Sequence, residues 1–302
     1  MTDGEQTIME AATQNPVRIG AEDRQLHGLF LDFVDRAFPG VDFRAWYALG
    51  GWTETYVAHS VIERGVMVAN ASVTQMSLCI ASETQRAAQL GAVAVLPTHR
   101  GRGLARSVVA VALEAARLAG DAAFLFSNAS VLEFYPRFGL SRVAEHVFGV
   151  PHRVTPEGTP CRRLDVTTAS DRALLLELAR RSLPVSGRVA ALDHGGILLW
   201  YAYNEHRDDF FDVPEMDAIV VARSEGNVLW IFDVLSPALF ALSEVLPRLI
   251  TEPVSELKFG FTPDVWWPAA NVLSPYTDSP LFVSQGLRLG SVPFKYPLLA
   301  QT

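Results

Sequence analysis

The segment of residues 93–106 constrains the fold more than any other part of this chain. An apolar, strand-like run ends at Val95, a loop follows with Gly101 and Gly103, and a helical pattern begins at Leu104. The first N–H groups of a helix have no partner within the helix, and glycine lets an anion approach the backbone closely. The segment therefore predicts a phosphate-binding turn between a buried strand and a helix.

The spacing of the glycines shows which kinds of phosphate-binding loop this segment is not. The chain contains neither a GxxxxGK[ST] loop nor a GxGxxG loop, which excludes two common nucleotide-binding motifs. The arginines of the sequence RGRG at residues 100–103 would add charge-assisted hydrogen bonds to a pyrophosphate, and the alternative is an ordinary tight turn with solvated arginines. An RNA-binding arginine-glycine segment is disfavoured, because the tetrapeptide occurs once, between a strong strand and a strong helix.

The hydrophobic pattern predicts two halves, each with strands and helices. Residues 1–16 are predicted to be a mobile N-terminal tail, and residues 151–164, rich in proline and polar groups, a linker. In the first half the predicted strands cover residues 17–19, 56–62, 66–81, 87–95, 122–126 and 142–150, and the predicted helices cover 26–38, 104–118 and 130–137. In the second half a helix is predicted over 170–182, a hairpin over 218–234, a helix over 239–249 and a strand over 256–261.

A second motif follows the predicted strand that ends at residue 126. Residues 128–140 read NASVLEFYPRFGL, and residues 100–105 read RGRGLA. The two resemble the N-x-x-x-x-x-F-Y-x-x-x-G-F and R/Q-x-x-G-x-G/A motifs of the GNAT superfamily of N-acetyltransferases, with Leu140 in place of the usual aromatic residue. They stand in the family's order and on the expected elements, and the resemblance covers about residues 17–150.

The resemblance implies an α/β fold with a mixed α+β sheet. We expect a GNAT acyl-CoA N-acyltransferase domain at residues 17–150, followed by a second GNAT-like α/β domain at 165–302. The second half echoes the order of elements in the first but lacks a glycine turn after its strand at residues 228–234. This layout is similar to tandem-type acetyltransferases, in which a degenerate half would shape the acceptor site or an interface.

The resemblance also implies roles for particular residues, with acetyl-CoA as the cosubstrate. The backbone at Val93, Ala94 and Val95 would pair with the pantetheine arm, and Asn128 would bond the same arm. The residues expected to hold the pyrophosphate are Arg100, Gly101, Arg102, Gly103, Leu104, Ala105 and Arg106.

Acetyl transfer to an amine needs a proton acceptor for the amine, donors for the developing oxyanion, and a proton for the leaving thiolate. The resemblance implies that the N–H of Val95 would donate a hydrogen bond to the oxyanion and that the phenol of Tyr135 would donate a proton to the thiolate. For the base, Glu83 is the first candidate. The other candidates left open are His59, Glu133 and, as the resemblance suggests for some two-domain relatives, the C-terminal carboxylate of Thr302.

The leading functional hypothesis is therefore direct acetyl transfer to a primary amine in a ternary complex. A non-catalytic acyl-CoA-binding or sensing module and an acyltransferase for longer acyl chains are the alternatives. The acceptor is expected to be a small-molecule or peptide amine, and aromatic side chains are candidates for its pocket. These side chains are Phe43, Trp46, Tyr47 and Trp52, with Trp200, Tyr201, Tyr203, Trp266 and Trp267 in the second half.

Composition excludes some partners and leaves others open. The formal net charge of -8 disfavours nucleic acid and anionic membranes, and no run approaches the roughly 20 apolar residues of a membrane span. The polar N-terminus lacks a signal-peptide pattern, so a cytoplasmic protein is expected. The histidines and the two cysteines, Cys79 and Cys161, show no metal-ligand spacing, and no metal is expected. A homo-oligomer is left open.

Overall fold

One mixed sheet of thirteen strands runs through both halves of the chain. The computed structural model describes residues 15–302, so most of the predicted N-terminal tail, residues 1–14, lies outside the described residues. The strands are β1 Val17–Ile19, β2 Tyr56–Glu63, β3 Val66–Ile80, β4 Glu83–Val95, β5 Ala122–Phe126, β6 Ser141–Val154, β7 Arg162–Arg163, β8 Val189–Leu192, β9 Phe210–Val213, β10 Ala218–Glu225, β11 Val228–Leu235, β12 Val254–Phe259 and β13 Asn271–Val283. The α-helices are α1 Arg24–Ala37, α2 Phe43–Ala48, α3 Leu104–Leu118, α4 Ala169–Arg181 and α5 Gly195–Asn204.

The strand order across the sheet is β1-β2-β3-β4-β5-β13-β6-β12-β11-β10-β9-β7, and β8 pairs with β3. Two neighbouring pairs are parallel, β4 with β5 and β11 with β12, and the other pairs are antiparallel. The long strand predicted over residues 66–81 is β3, and its pairing with both neighbours is irregular. Its register shifts against β2 and again against β4, which gives the bends that a strand of this length needs.

The two halves of the chain each contribute a strand to the other's part of the sheet. Strand β13, from the second half, lies between β5 and β6, and β6 also pairs with β12. Residues 151–154, predicted as the start of the linker, continue β6 because Pro151 and Val154 pair with Glu256 and Val254 of β12. The sheet of the first half is thus completed by a strand from the second.

Helix α3 follows the predicted phosphate-binding turn and matches its predicted bounds. Its buried side chains, Val108, Val109, Ala112 and Ala116, recur every three or four residues, which places them on one face of the helix. This face packs against β2, β3, β4 and β5. The helix is therefore fixed to the sheet at the strand that leads into the turn.

Prolines explain two differences from the predicted helices. The helix predicted over residues 239–249 is wrong: the structure has two short 3₁₀ turns, Leu242–Glu244 and Leu246–Arg248, because Pro247 lacks an N–H and obstructs the preceding helical turn. The short helix predicted near residues 130–137 is likewise two 3₁₀ turns, with Pro136 in the second. Helix α5, which begins with two glycines, was not predicted. Within residues 15–302, no helix is both long and apolar enough to cross a membrane.

We predict that Phe282→Ala destabilises the protein by about 3–5 kcal/mol. Phe282 lies on β13 with 1% of its surface exposed, between Leu125 of β5 and Arg142 of β6, so its removal leaves a cavity where the two halves join. Urea unfolding monitored by circular dichroism measures the change. Val272→Ala on the same strand is the control. Because Val272 is 44% exposed, this substitution should change the free energy of unfolding by no more than about 0.5 kcal/mol.

Candidate active site

Strands β4 and β5 pair along only part of their length. Their parallel ladder runs from Ala87–Ala122 to Leu90–Leu125 and stops there, although β4 continues to Val95. Beyond Leu90 the β5-facing edge of β4 has no strand partner among residues 15–302. This divergence opens a wedge in the middle of the sheet.

A bulge on β4 lies at the start of the wedge. The register between β3 and β4 shifts between Asn70 and Ser72, and Ala92 adopts a left-handed φ of 48°. The fully buried Asn70 side chain donates to the Ala92 carbonyl over 2.9 Å, and its own oxygen accepts from Ser60 at 2.8 Å. These buried bonds stabilise the irregular backbone, because polar groups inside a sheet need partners.

The bulge leaves the N–H groups of Val93 and Val95 directed into the wedge. The N–H of Leu96 donates to Val68 of β3 over 2.9 Å. Because successive N–H groups of a strand point to opposite edges, those of Val95 and Val93 point toward β5, where the ladder has already ended. The wedge edge of β4 can therefore pair with an extended ligand as a strand would.

The loop after β4 presents a run of backbone donors. Gly101 and Gly103 adopt left-handed φ values of 79° and 77°, and open space lies where their Cβ atoms would be. The N–H groups of residues 101–106 have no hydrogen-bond partner among residues 15–302, and the first bonded N–H of the helix is that of Ser107 to Gly103. This is an open anion-binding turn at the N-terminus of α3.

The three arginines of the loop have different surroundings. Arg102 forms an ion pair with Glu63 of β2 at 2.7 Å, so its charge is already compensated. Arg100 donates to the Val95 carbonyl over 3.4 Å and thus lies across the wedge edge of β4. Arg106 is exposed and has no ion pair within the described part of the chain, so its charge is available to an anion.

The second motif begins just after β5, the strand on the other side of the wedge; Asn128 lines the cavity and Tyr135 does not. Asn128, just after β5, accepts from the backbone and side chain of Ser130, which leaves its amide NH₂ as a donor. Tyr135 is buried against Phe134 and Phe282, with ring centroids 5.2 and 5.7 Å away. Burial raises the pKa of Tyr135 to about 12, so the phenol keeps its proton at neutral pH.

A large cavity of about 970 Å³ reaches the wedge from the other direction. Both halves of the chain form its walls. From the first half these include Phe43, Trp46, Tyr56, Gly91, Ala92, Ser127 and Asn128, and from the second half Arg180, Asp193, Trp200, Tyr201, Asp278 and Thr302.

Among residues 15–302, the two charged side chains of the cavity lining that have no ion-pair partner are both carboxylates. Asp193 and Asp278 are exposed to it and have no ion pair among the described residues. The two arginines of the lining are paired, Arg86 with Asp121 at 2.9 Å and Arg180 with Glu177 at 3.1 Å. The cavity therefore favours a cationic occupant.

Comparison with known proteins relates residues 25–143 of this chain to a protein family. A family model described as an acetyltransferase (GNAT) domain matches residues 25–143. A comparison with curated protein sequences finds no significant match. Three solved structures are similar. Eis1 from Mycobacterium abscessus has a TM-score of 0.55 and 17% identity, and the match covers 88% of this chain and 72% of that one. A GCN5-related N-acetyltransferase from Kribbella flavida has a TM-score of 0.53, 15% identity and coverage of 89% and 71%, and a probable N-acyltransferase from Enterococcus faecalis has a TM-score of 0.52, 13% identity and coverage of 88% and 71%.

Residues 25–143 therefore match a GNAT acetyltransferase domain, which makes the protein an acyltransferase. The domain match contains both motifs together with the wedge between β4 and β5. At these identities the solved structures show the fold alone, and their likeness extends over most of both halves of the chain.

In this acyltransferase, the structure does not bring Glu83 to the cavity. Glu83 is the first residue of β4, exposed beside the hairpin turn, and the rise of a strand puts it about 30 Å before Ala92. Glu133 is exposed and also lies outside the cavity. His59 is buried in β2, away from the cavity. Of the candidate bases, Thr302 is the one that lines it.

Some of the aromatic residues predicted for the acceptor pocket line the cavity and others do not. Phe43, Trp46, Trp200 and Tyr201 line the cavity. Trp52 instead stacks on His27 with ring centroids 4.1 Å apart, and Trp266 is buried in a separate core of the second half. The other predicted aromatics that do not line the cavity are Tyr47, Tyr203 and Trp267.

Sequence reasoning missed several polar residues of the site. Ser127 lines the cavity with a buried hydroxyl that has no partner among residues 15–302, and Gln89 contacts the chain near Thr302. Asp278 comes from β13, whose place beside β5 no local pattern indicates. Gln89, a polar residue between the apolar residues 87–88 and 90–95 of β4, was an available signal. Among the described residues, no group of three or more His, Cys, Asp or Glu side chains could hold a metal ion.

We predict that His59 makes the enzyme less stable in mild acid. Burial, with a smaller effect of Arg18, lowers the pKa of His59 to about 4, from an ordinary value of 6.5. Between these pH values the unfolded chain binds a proton that the folded chain does not, so stability is kept above pH 6.5 and lost as the pH falls to 4. The loss attributable to His59 approaches about 3 kcal/mol at pH 4.

Unfolding of wild type and His59→Leu across this pH range checks the prediction. The variant should lose less stability between pH 6.5 and pH 4, because it has no imidazole to protonate in the unfolded state. Measurements at pH 8 serve as the control, since the histidine is neutral there in both states. Parallel pH curves for the two proteins would contradict the role given to His59.

Proposed function

We propose that this enzyme transfers an acetyl group from acetyl-CoA to a primary amine, by direct attack of the amine in a ternary complex. The observation that carries the proposal is the wedge between β4 and β5. On one side it adjoins the open anion-binding turn, and on the other it opens into the acceptor cavity. Two substrates can thus meet at Ala92 from opposite directions.

The turn at residues 101–106 suits the pyrophosphate of the cosubstrate. Its unpartnered N–H groups face open space at Gly101 and Gly103, and the N-terminus of α3 adds a partial positive charge. Arg106 supplies a full charge that no ion pair within residues 15–302 uses. Bound acetyl-CoA would supply the reactive thioester.

The residues of the wedge would then orient the reacting groups. The N–H groups of Val93 and Val95 pair with the amide-bearing arm, and Asn128 donates to it from the facing side. The N–H of Val95 also donates to the oxygen that gains charge as the amine nitrogen attacks the carbonyl carbon. The protons that the amine nitrogen loses on becoming an amide pass to solvent water. As the carbon–sulfur bond breaks, Tyr135 gives its proton to the sulfur, and the phenol then regains a proton from solvent.

Tyr135 fits that role because its pKa of about 12 keeps the phenol protonated at neutral pH. Its hydroxyl has no side-chain hydrogen-bond partner within the described chain, so no neighbour competes for the proton.

The acceptor side supports a cationic amine. The free carboxylates of Asp193 and Asp278 attract such a molecule, and the aromatic walls provide apolar and cation-binding faces. Because Asp193, Trp200, Tyr201 and Asp278 belong to residues 165–302, we propose that the second half serves the acceptor site.

A thiol-release assay with acetyl-CoA and a panel of amines tests the proposed function. Primary amines with a net positive charge should release thiol fastest, and neutral or anionic amines should react slowly. Propionyl- and longer acyl-CoAs in the same assay test the acyl preference. Binding of acetyl-CoA without turnover on any amine would contradict the proposal and favour a binding module.

We predict that Gly103→Glu weakens acetyl-CoA binding by about tenfold or more, because it blocks the turn and places a negative charge beside the pyrophosphate. Isothermal titration calorimetry measures the affinity. Gly120→Glu is a matched control at the other end of α3, since Gly120 has a φ of 76° and open space at its Cβ position. The control carries the same charge and backbone strain, and it should bind like wild type.

We predict that Tyr135→Phe lowers kcat by about 10²–10⁴-fold, because the thiolate loses its proton donor. The affinity for acetyl-CoA should stay within about twofold, since the ring and its packing are kept. Steady-state kinetics with the best amine, beside calorimetry, separates the two effects. Tyr47→Phe is the control, because the Tyr47 hydroxyl bonds His27 over 3.1 Å and has no role in the proposed reaction. An unchanged kcat in Tyr135→Phe would rule out the phenol as the acid.

A further inference from the structure

The segment of residues 294–302 crosses the sheet and ends beside the β4 bulge. Two buried interactions fix its course: the Lys295 ammonium pairs with Glu145 of β6 at 2.9 Å, and the Tyr296 hydroxyl donates to the Ala300 carbonyl over 3.3 Å. Gln301 and Thr302 then form part of the acceptor cavity wall. The segment thus brings the second half against the centre of the first.

Gln89 binds this segment with both ends of its side-chain amide. Its Nε2 donates to the Ala300 carbonyl, and its Oε1 accepts from the Thr302 N–H, each over 2.8 Å. A neighbouring strand would make the same two bonds to the residues that flank Gln301. Gln89 is fully buried on β4, with Thr74 and Phe124 as its backbone neighbours on β3 and β5.

The contact lies at the start of the wedge. Gly91, two residues after Gln89, points to the same face of the sheet, and a Cβ there would lie 2.6 Å from the Thr302 Oγ1 and 3.0 Å from its carbonyl carbon. Only glycine therefore leaves room for Thr302 at this place. The next residue is Ala92, where the bulge begins and where the two substrates would meet.

We infer that Gln89 is a positioning residue: it fixes residues 300–302 as the cavity wall beside the bulge, and so sets where the acceptor amine lies. The inference rests on the proposed function, because it concerns the acceptor of that reaction. It follows that loss of the amide loosens the wall on the acceptor side only. The cosubstrate turn at residues 101–106 is held by different contacts.

Gln89→Met tests the inference, because methionine keeps the length of the side chain and removes both polar atoms. Amide hydrogen exchange of the peptide spanning residues 294–302 should become faster. With the best amine, kcat/KM should fall by about 10- to 100-fold through the acceptor KM and kcat, while the KM for acetyl-CoA stays within about twofold. If Gln89 had only a structural role, Gln89→Met would change the kinetics of the acceptor and of acetyl-CoA alike.

Gln85→Met is the matched control on the same strand. Its amide donates to the Gly286 carbonyl over 3.1 Å, and it does not contact the segment. It should keep wild-type exchange and kinetics. Gly91→Ala is a second variant, which should displace Thr302 and change acceptor kinetics in the same direction as Gln89→Met.

Wild-type acceptor kinetics in Gln89→Met would overturn the inference, whether or not hydrogen exchange becomes faster. An equal loss of affinity for both substrates, with a lowered unfolding midpoint, would overturn it as well, because it indicates general destabilisation. Absence of turnover in the wild type is a different result. It contradicts the proposed function itself.

Discussion

The early end of the β4–β5 ladder is the constraint on which the rest of the site depends. A strand paired on both edges has no N–H groups to offer a ligand, and β4 becomes available only beyond Leu90. The bulge at Ala92 turns the strand there, and the buried amide of Asn70 bonds the carbonyl that the bulge would otherwise leave unpaired. An unpaired buried carbonyl costs about 1–3 kcal/mol, so a polar network inside an apolar sheet holds the wedge open.

Strand β13 makes the second half part of the site. Its C-terminal end packs Phe282 against Tyr135, the proposed acid, while Asp278 and Ser279 on the same strand line the acceptor cavity. One strand therefore contacts both the leaving-group side and the acceptor side of the wedge. The cavity could not form from residues 17–150 alone, because much of its wall comes from α4, α5, β13 and residues 301–302.

The sequence predicted the parts of the site that are local in the chain. The turn at residues 101–106 and helix α3 follow from glycine placement and hydrophobic period, and the structure has them. The parts that depend on distant pairing were not predictable. No pattern near Asp278 indicates that β13 inserts beside β5, and Glu83 was chosen as a base for its closeness in sequence to β4, whereas the strand carries it away from the cavity.

The charges on the two sides of β4 are opposite in sign, although the chain as a whole is acidic. On the cosubstrate side, Arg102 is neutralised by Glu63, so an anion meets Arg106 together with the partial charge of the α3 N-terminus. On the side of the proposed acceptor cavity, the arginines are paired, whereas Asp193 and Asp278 have no ion pair within the described residues. For the proposed reaction, an anionic cosubstrate and a cationic amine would each be attracted to one side and repelled from the other, which would favour their meeting at the wedge in a single orientation.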